Sequence, residues 1–379
     1  MFRLLVLIVF LPALRLLAAD SPRRVLLVHS FGRDFAPFNE VSAQFRTELA
    51  RRSPEPVEFL DASLEMARFD GVERDEALLE FLAAIFQDRA PDLVAPVGGP
   101  AAQFCLRHRP ALFPQAPLLA LGMDKRRLEE IGVAGDACTV GVDVDLGPLL
   151  KNVMEVLPET REVFVLMGTA PLEQFWEGEL KKEWPGMAPG ITFHWLSGQS
   201  LEQMVETVHR LPPRSVVFAG IVNRDAAGIP HVQENALSAI RNASSAPIFG
   251  YQDAQLGLGI VGGRLFPMGQ AGVAGAEAAV KLLAGVPASM VGGRFLPLNP
   301  PVFDARELRR WGLPESALPA GSTLHFREPS LWEAHRTAVL VAAAVTTVQT
   351  ALILLLLAAR RRAQEMDASL SLAAEAARV

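Results

Sequence analysis

Cysteine and tyrosine are nearly absent from this chain of 379 residues: Cys105 and Cys138 are the only cysteines, and Tyr251 is the one tyrosine. Two cysteines with no CxxC, and no Cys/His cluster at ligand spacing, exclude a zinc or iron–sulfur framework. A Cys105–Cys138 disulfide is permitted in an oxidising compartment, with two buried thiols packing as small apolar groups as the alternative. The chain has no HExxH, no GxxxxGK[ST] and no GxSxG, which removes zincin, P-loop and hydrolase-elbow chemistry. The histidines, among them His29, His108, His194, His209 and His231, are scattered and read as structural or surface residues. There is no basic excess either. The net charge is −6, and no Lys/Arg patch is interleaved with aromatics, so nucleic acid is not an expected partner. No catalytic residue, metal or cofactor is expected.

Two glycine patterns invite overreading. Gly257–Gly262, GLGIVG, matches GxGxxG but enters a predicted strand instead of joining a strand to a helix. Small residues there allow close chain approach. Gly269, Gly272 and Gly275 read as a helix start packed tightly on a sheet. Asp143 and Asp145 read as an interlobe turn, not as an acid/base pair.

What the chain does have is 50% hydrophobic and 21% charged residues, a globular composition with a slight membrane bias. Residues 1–19 carry Arg3, an apolar core from Leu4 to Leu14 and small Ala18 and Ala19, a pattern expected of a secretory signal peptide. An uncleaved anchor is the alternative. Thr337 to Ala359 contains no charge and is expected to cross a bilayer as a helix. Arg360, Arg361 and Arg362 mark its cytoplasmic side, placing residues 20–336 in the periplasm and the tail in the cytoplasm across the inner membrane. Ala343, Thr347 and Ala351 form a small-residue stripe, with Gln349 mid-span. A homodimer through this helix is the expected assembly, although an Ala-rich span also acquires such a stripe by composition.

Between these ends, strands alternate with helices. Arg24–Ser30, Val57–Asp61, Asp92–Gly99, Pro117–Met123 and Cys138–Asp145 are expected strands of a first set. Glu162–Thr169, Ile191–Ser197, Ser215–Ile221, Ala246–Asp253 and Gly259–Phe266 form a second set. Helices are expected over 37–52 and 72–88, then near 146–157, 171–184, 200–210, 232–243 and 269–284. This is an α/β chain with two mostly parallel sheets in two lobes. The expected boundaries are 20–145 with 286–336 for the first lobe and membrane-proximal segment, and 146–285 for the second. A ligand cleft lies at the carboxyl ends of such strands. The candidates there are Ser30, Phe31 and Gly99 from the first lobe, and Thr169, Arg224, Asp225, Tyr251 and Asp253 from the second. Arg224 and Asp225 could grip a carboxylate or ammonium, and Tyr251 and Phe31 could wall the ligand; solvated-loop and ordinary strand-end roles are the alternatives.

Three stretches are more specific: RVLLVHSFGRDFAPFNEVSAQFRTEL, APIFGYQDAQLGLGIVGGRLFPMGQAGVAGAEAAVKLLAG and PPVFDARELRRWGLPESALPAGSTLHFREPSLWEAHR. Together they resemble the periplasmic sensor part of bacterial membrane receptors, whose outer domain is similar to ABC-transporter substrate-binding proteins of the type I periplasmic fold. The resemblance covers about residues 24–362. It implies a small-molecule ligand, a PAS domain and histidine kinase beyond the span, and a response regulator as partner. Residues 360–379 look like the linker into such a PAS module, with Ala363, Met366, Leu370, Ala373 and Ala377 spaced as in a two-helix seam. The kinase half is not in this sequence, which is expected to be a fragment; a separate output protein is the alternative. A tethered ABC-importer receptor is a second reading. A tethered periplasmic hydrolase is a third, with no nucleophile–base pair to support it.

Overall fold

The computed structural model describes residues 21–66, 72–132, 137–327 and 331–376. The expected signal segment and Ala377 lie outside the described residues. The chain divides into two bodies at Phe326/Arg327.

The first body holds two sheets. One has strand order β11-β5-β4-β3-β1-β2, built from β1 (Arg23–His29), β2 (Val57–Ser63), β3 (Leu93–Val97), β4 (Leu118–Asp124), β5 (Ala137–Asp143) and β11 (Gly293–Pro297). All of its pairs are parallel. β1 reads as an unbroken apolar run because both of its faces are covered. Val25 and Leu27 point into a core shared with α1 (Phe38–Arg52) and α9 (Met268–Leu283). Leu26 and Val28 point into a second core, with Leu82 of α2 (Val72–Ile85) and Phe104 of α3 (Gly99–Leu112). Each such side chain, fully buried, contributes roughly 1.5–3 kcal/mol.

The other sheet has order β13-β12-β10-β9-β8-β6-β7. Its strands are β6 (Glu162–Leu166), β7 (Thr192–Trp195), β8 (Ser215–Ala219), β9 (Ile248–Gly250), β10 (Gly262–Gly263), β12 (Val302–Asp304) and β13 (Thr323–His325). Helices α5 (Gly147–Val156) and α6 (Pro171–Met187) cover one face, and α7 (Leu201–His209) and α8 (Gln233–Ala243) the other. The sheet is parallel except where β10 meets β12 antiparallel. Gly262 makes that pairing possible. Its φ is +138°, and a Cβ there would lie 2.1 Å from the Val302 carbonyl oxygen. The GLGIVG stretch thus serves chain approach.

The lobe boundaries differ from the expected ones. Helix α9 was expected in the second lobe, yet it packs on α1 and the first sheet. A Cβ on Gly272 would stand 2.4 Å from the Val41 carbonyl oxygen, so only glycine lets the α9 and α1 backbones come this close, and one on Gly275 would crowd the Leu121 side chain at 2.4 Å. Conversely β12, α11 (Ala305–Arg310) and β13 were expected with the first lobe, but belong to the second sheet. The chain therefore passes between lobes at 144–146, 264–267 and 298–301. Two passages are tied together where Asn299 N–H donates to the Leu265 carbonyl at 3.1 Å, and the third is fastened to α6 by Trp184 Nε1 donating to the Leu146 carbonyl at 3.0 Å. Helix α3 was not anticipated. Pro100 sits in its first turn, where proline is tolerated, and Pro110 in its last. Cys105 and Cys138 are both free and buried. Burial raises both thiols, Cys138 up to about 11.

The second body is one helix, α12 (Leu331–Ala376). Its segment His335–Asp367 contains an 18-residue stretch with a mean hydropathy of 2.3 and is long and apolar enough to cross a membrane. The uncharged part alone rises roughly 34 Å, against ~30 Å of hydrocarbon. Thr346, Thr347 and Thr350 donate their hydroxyls to carbonyls one turn back, at 2.8 Å each, so these polar groups are satisfied within the helix.

Candidate functional site

The carboxyl ends of both sheets face each other across a narrow, largely apolar cavity, part of it open to solvent. From the first lobe come Phe31 after β1, Phe38 of α1, Gly99 at the start of α3, and Gly122, Asp124 and Arg127 at the end of β4. From the second come Leu172 and Trp176 of α6, Ile221 after β8, Tyr251 and Gln252 after β9, and Phe266 at the crossover. Helix N-termini and strand C-termini converge here because every βα unit turns at this edge.

Two aromatic pads form the walls. Phe31 stacks on Phe35 and Phe38, with centroids 4.8 and 5.7 Å away. Opposite, Trp176, Tyr251 and Phe266 meet at 4.7–6.4 Å. Polar atoms are few, and several lack partners. Asp124 Oδ1 accepts from the Arg126 backbone N–H at 2.8 Å, while Asp124 Oδ2, Tyr251 Oη and Gln252 Oε1 are buried without one. These residues are 7%, 3% and 1% exposed. Burial pushes the Asp124 carboxyl above the usual range, against the pull of the Arg126 N–H and guanidinium. Burial also raises the Tyr251 phenol, with Glu173 adding to the effect.

The same β4 turn reaches across the cleft. Arg126 Nη1 lies 2.9 Å from both Glu179 and Glu183 of α6, its guanidinium is 5.5 Å from the Trp176 ring centroid, and Nη2 donates to the Val144 carbonyl at 3.0 Å. This ion-pair triad bridges the lobes beside the cavity. A wider, more polar recess of about 900 Å³ adjoins it and shares Phe31; Arg33, Glu65, Asn223, His231 and Gln233 are among its lining residues.

Of the residues anticipated from sequence, the structure brings Phe31, Gly99 and Tyr251 to the cavity wall. The other anticipated residues do not line it. Ser30 Oγ donates to the Val97 carbonyl at 2.8 Å and accepts from Ala101 N–H at 3.0 Å, fastening α3 to β1. Thr169 Oγ1 donates to the Arg224 and Asp225 carbonyls at 3.3 and 3.0 Å. Arg224 pairs its backbone with Pro230. The gripping role expected of Asp225 meets a carboxylate that is already occupied. Its oxygens accept from the N–H groups of Leu201, Ala227 and Ile229 and meet His231 Nε2, each at 3.0 Å. Burial would raise that carboxyl, but these hydrogen bonds outweigh it and hold the group down at about 2. Asp253 accepts from Ala254 and Gly269 N–H at 2.9 and 3.3 Å, fixing the start of α9. Among the described residues no His/Cys/Asp/Glu group could hold a metal ion.

Asp124, Arg127, Trp176 and Phe266 were not anticipated. Asp124 and Arg127 follow the Gly122–Met123 turn, whose position as a strand end was visible. Trp176 lies in the second turn of a helix whose start had to face the cleft.

With this geometry in view, the chain can be placed among known structures. A complex of an ABC domain with L-Trp from Streptococcus pneumonia superimposes with a TM-score of 0.57 at 15% identity, covering 80% of this chain and 100% of that one. A ligand-free, open substrate-binding protein with adhesive properties from Clostridium difficile gives 0.56 at 12%, covering 81% and 100%. An ABC-transporter solute-binding protein from Bacillus halodurans with bound myo-inositol gives 0.51 at 16%, covering 75% and 96%. The fold is that of the type I periplasmic binding proteins. At these identities the likeness establishes architecture alone. No protein-family model matches the chain, and no curated protein does.

Proposed function

We propose that this chain is the periplasmic solute-sensing region of an inner-membrane receptor. A small molecule enters the interlobe cavity, the lobes close over it, and closure is passed through α12 to a cytoplasmic output. The observation that carries this reading is a cavity walled from both lobes, with buried polar atoms lacking partners, in a chain that also has a membrane-length helix. Closure follows only from the solute's preference for the closed form. The L-Trp and myo-inositol bound by two similar folds support an occupant of that size. On this reading Arg360–Arg362 stay in the cytoplasm, two copies meet through the Ala343–Thr347–Ala351 stripe, and the output is a PAS–histidine kinase acting on a response regulator.

The test is thermal melting of the full chain in nanodiscs against amino acids, amines, sugars, polyols and carboxylates. A cleft ligand at a hundred times its Kd adds about 2.7 kcal/mol and raises the melting temperature. Trp176→Ala should remove the shift. No shift from any solute, or one untouched by Trp176→Ala, contradicts the reading. The second reading, a tethered receptor for an ABC importer, is separated by the gene beyond Val379. A PAS–kinase continuation supports sensing, and a stop codon beside permease genes supports transport.

A further inference from the structure

The unpartnered atoms of the cavity wall share one chemistry. Asp124 Oδ2, Gln252 Oε1 and Tyr251 Oη are all oxygens, and all belong to residues at least nine-tenths buried. The first two can only accept when Asp124 is ionised, so the occupant must bring hydrogen-bond donors. Among the described residues Asp124 is the one carboxylate in the cavity wall. A buried carboxylate calls for a cationic partner. Arg126 only partly supplies one: its Nε lies 3.5 Å from Oδ1, and its terminal nitrogens serve Glu179, Glu183 and the Val144 carbonyl. Apart from Arg127, the remaining wall is mostly aromatic or aliphatic on both sides, which suits a flat apolar body. A polyol would leave these rings against hydroxyls, and an anion placed at these oxygens would set acceptors against acceptors.

We propose that the cleft selects a solute with an ammonium group on a flat apolar body, its N–H donors taken up by the unpartnered oxygens of Asp124, Gln252 and Tyr251. The proposal rests on the cavity being the solute site. Simple amines and aromatic amino acids are the two sources of this chemistry.

The test is calorimetric titration of the full chain in nanodiscs at pH 7.5 with tryptamine, L-tryptophan, indole-3-propionate and myo-inositol. Tryptamine, L-tryptophan or both should bind about tenfold or more tightly than indole-3-propionate, as expected for a charge-assisted hydrogen bond. Tighter binding of L-tryptophan than of tryptamine assigns the amino acid, and the reverse assigns the amine. Asp124→Asn should abolish the preference for the cation. Tyr251→Phe, which keeps the ring, should weaken the amine several-fold without lowering the melting temperature of the empty protein, and it keeps the test decisive if Asp124→Asn misfolds. Tight binding of indole-3-propionate or myo-inositol with no amine binding, or an amine preference that survives both variants, overturns the proposal while leaving the cleft reading intact. No binding by any of the four, together with no shift in the wider solute panel, overturns both.

Discussion

Glu173 is fully buried between α6 and the loop after β8, and its carboxyl accepts from the Ala170 and Asn223 backbone N–H groups at 2.6 and 2.5 Å. Burial pushes it up to about 7 against those hydrogen bonds and the nearby Arg224 charge, and Tyr251 is its other electrostatic neighbour. The folded chain therefore holds a proton that an unfolded Glu releases near pH 4.5. Stability is full below that value and falls as pH rises to about 7, by at most about 3 kcal/mol. Denaturant midpoints at pH 5 and pH 8 should show this loss in the native protein and a flatter profile in Glu173→Gln; equal slopes would contradict it. The residue scale is also where sequence reading reached least far. Asp225 looked like a ligand grip because acid and base adjoin after a strand. What decided its role was four donors from its own and a neighbouring loop, which only the folded backbone assembles. Asp124 has the same local chemistry, but one of its oxygens is left open.

At the scale of elements, helix α9 is held by absent side chains. Gly272→Ala places a methyl 2.4 Å from the Val41 carbonyl oxygen and forces α9 off α1. The expected cost is about 1–3 kcal/mol, read as a lower melting temperature. The bridge from the β4 turn to α6 is different in kind. Arg126, Glu179 and Glu183 keep 26%, 22% and 35% side-chain exposure, and such pairs are worth about 0–1 kcal/mol each. Replacing Glu179→Gln and Glu183→Gln together should leave the melting temperature of the empty protein nearly unchanged. A bridge that forms only on closure predicts solute binding weakened about three- to tenfold in this variant. Unchanged affinity would show that the bridge does not bias closure. Strands such as β1 and β8 were legible because burial on both faces writes an unbroken apolar run. The lobe to which α9, β12 and β13 belong was not, since periodicity records what an element buries but not which sheet it buries it against.

For the whole molecule, a two-lobed binding fold is followed by a membrane-length helix, and the proposed function requires the lobes to close on a solute. Gln103→Cys on α3 and Glu202→Cys on α7 put exposed labelling sites in the first turns of helices that begin at the cleft edge, one on each lobe. The native thiols stay protonated and buried, so they compete little for the label. Pulsed dipolar spectroscopy of this doubly labelled full chain in nanodiscs measures the interlobe distance directly. With a solute that raises the melting temperature, the account predicts a shorter mean distance and a narrower distribution than in the empty protein. A stabilising solute that leaves that distribution unchanged would contradict it.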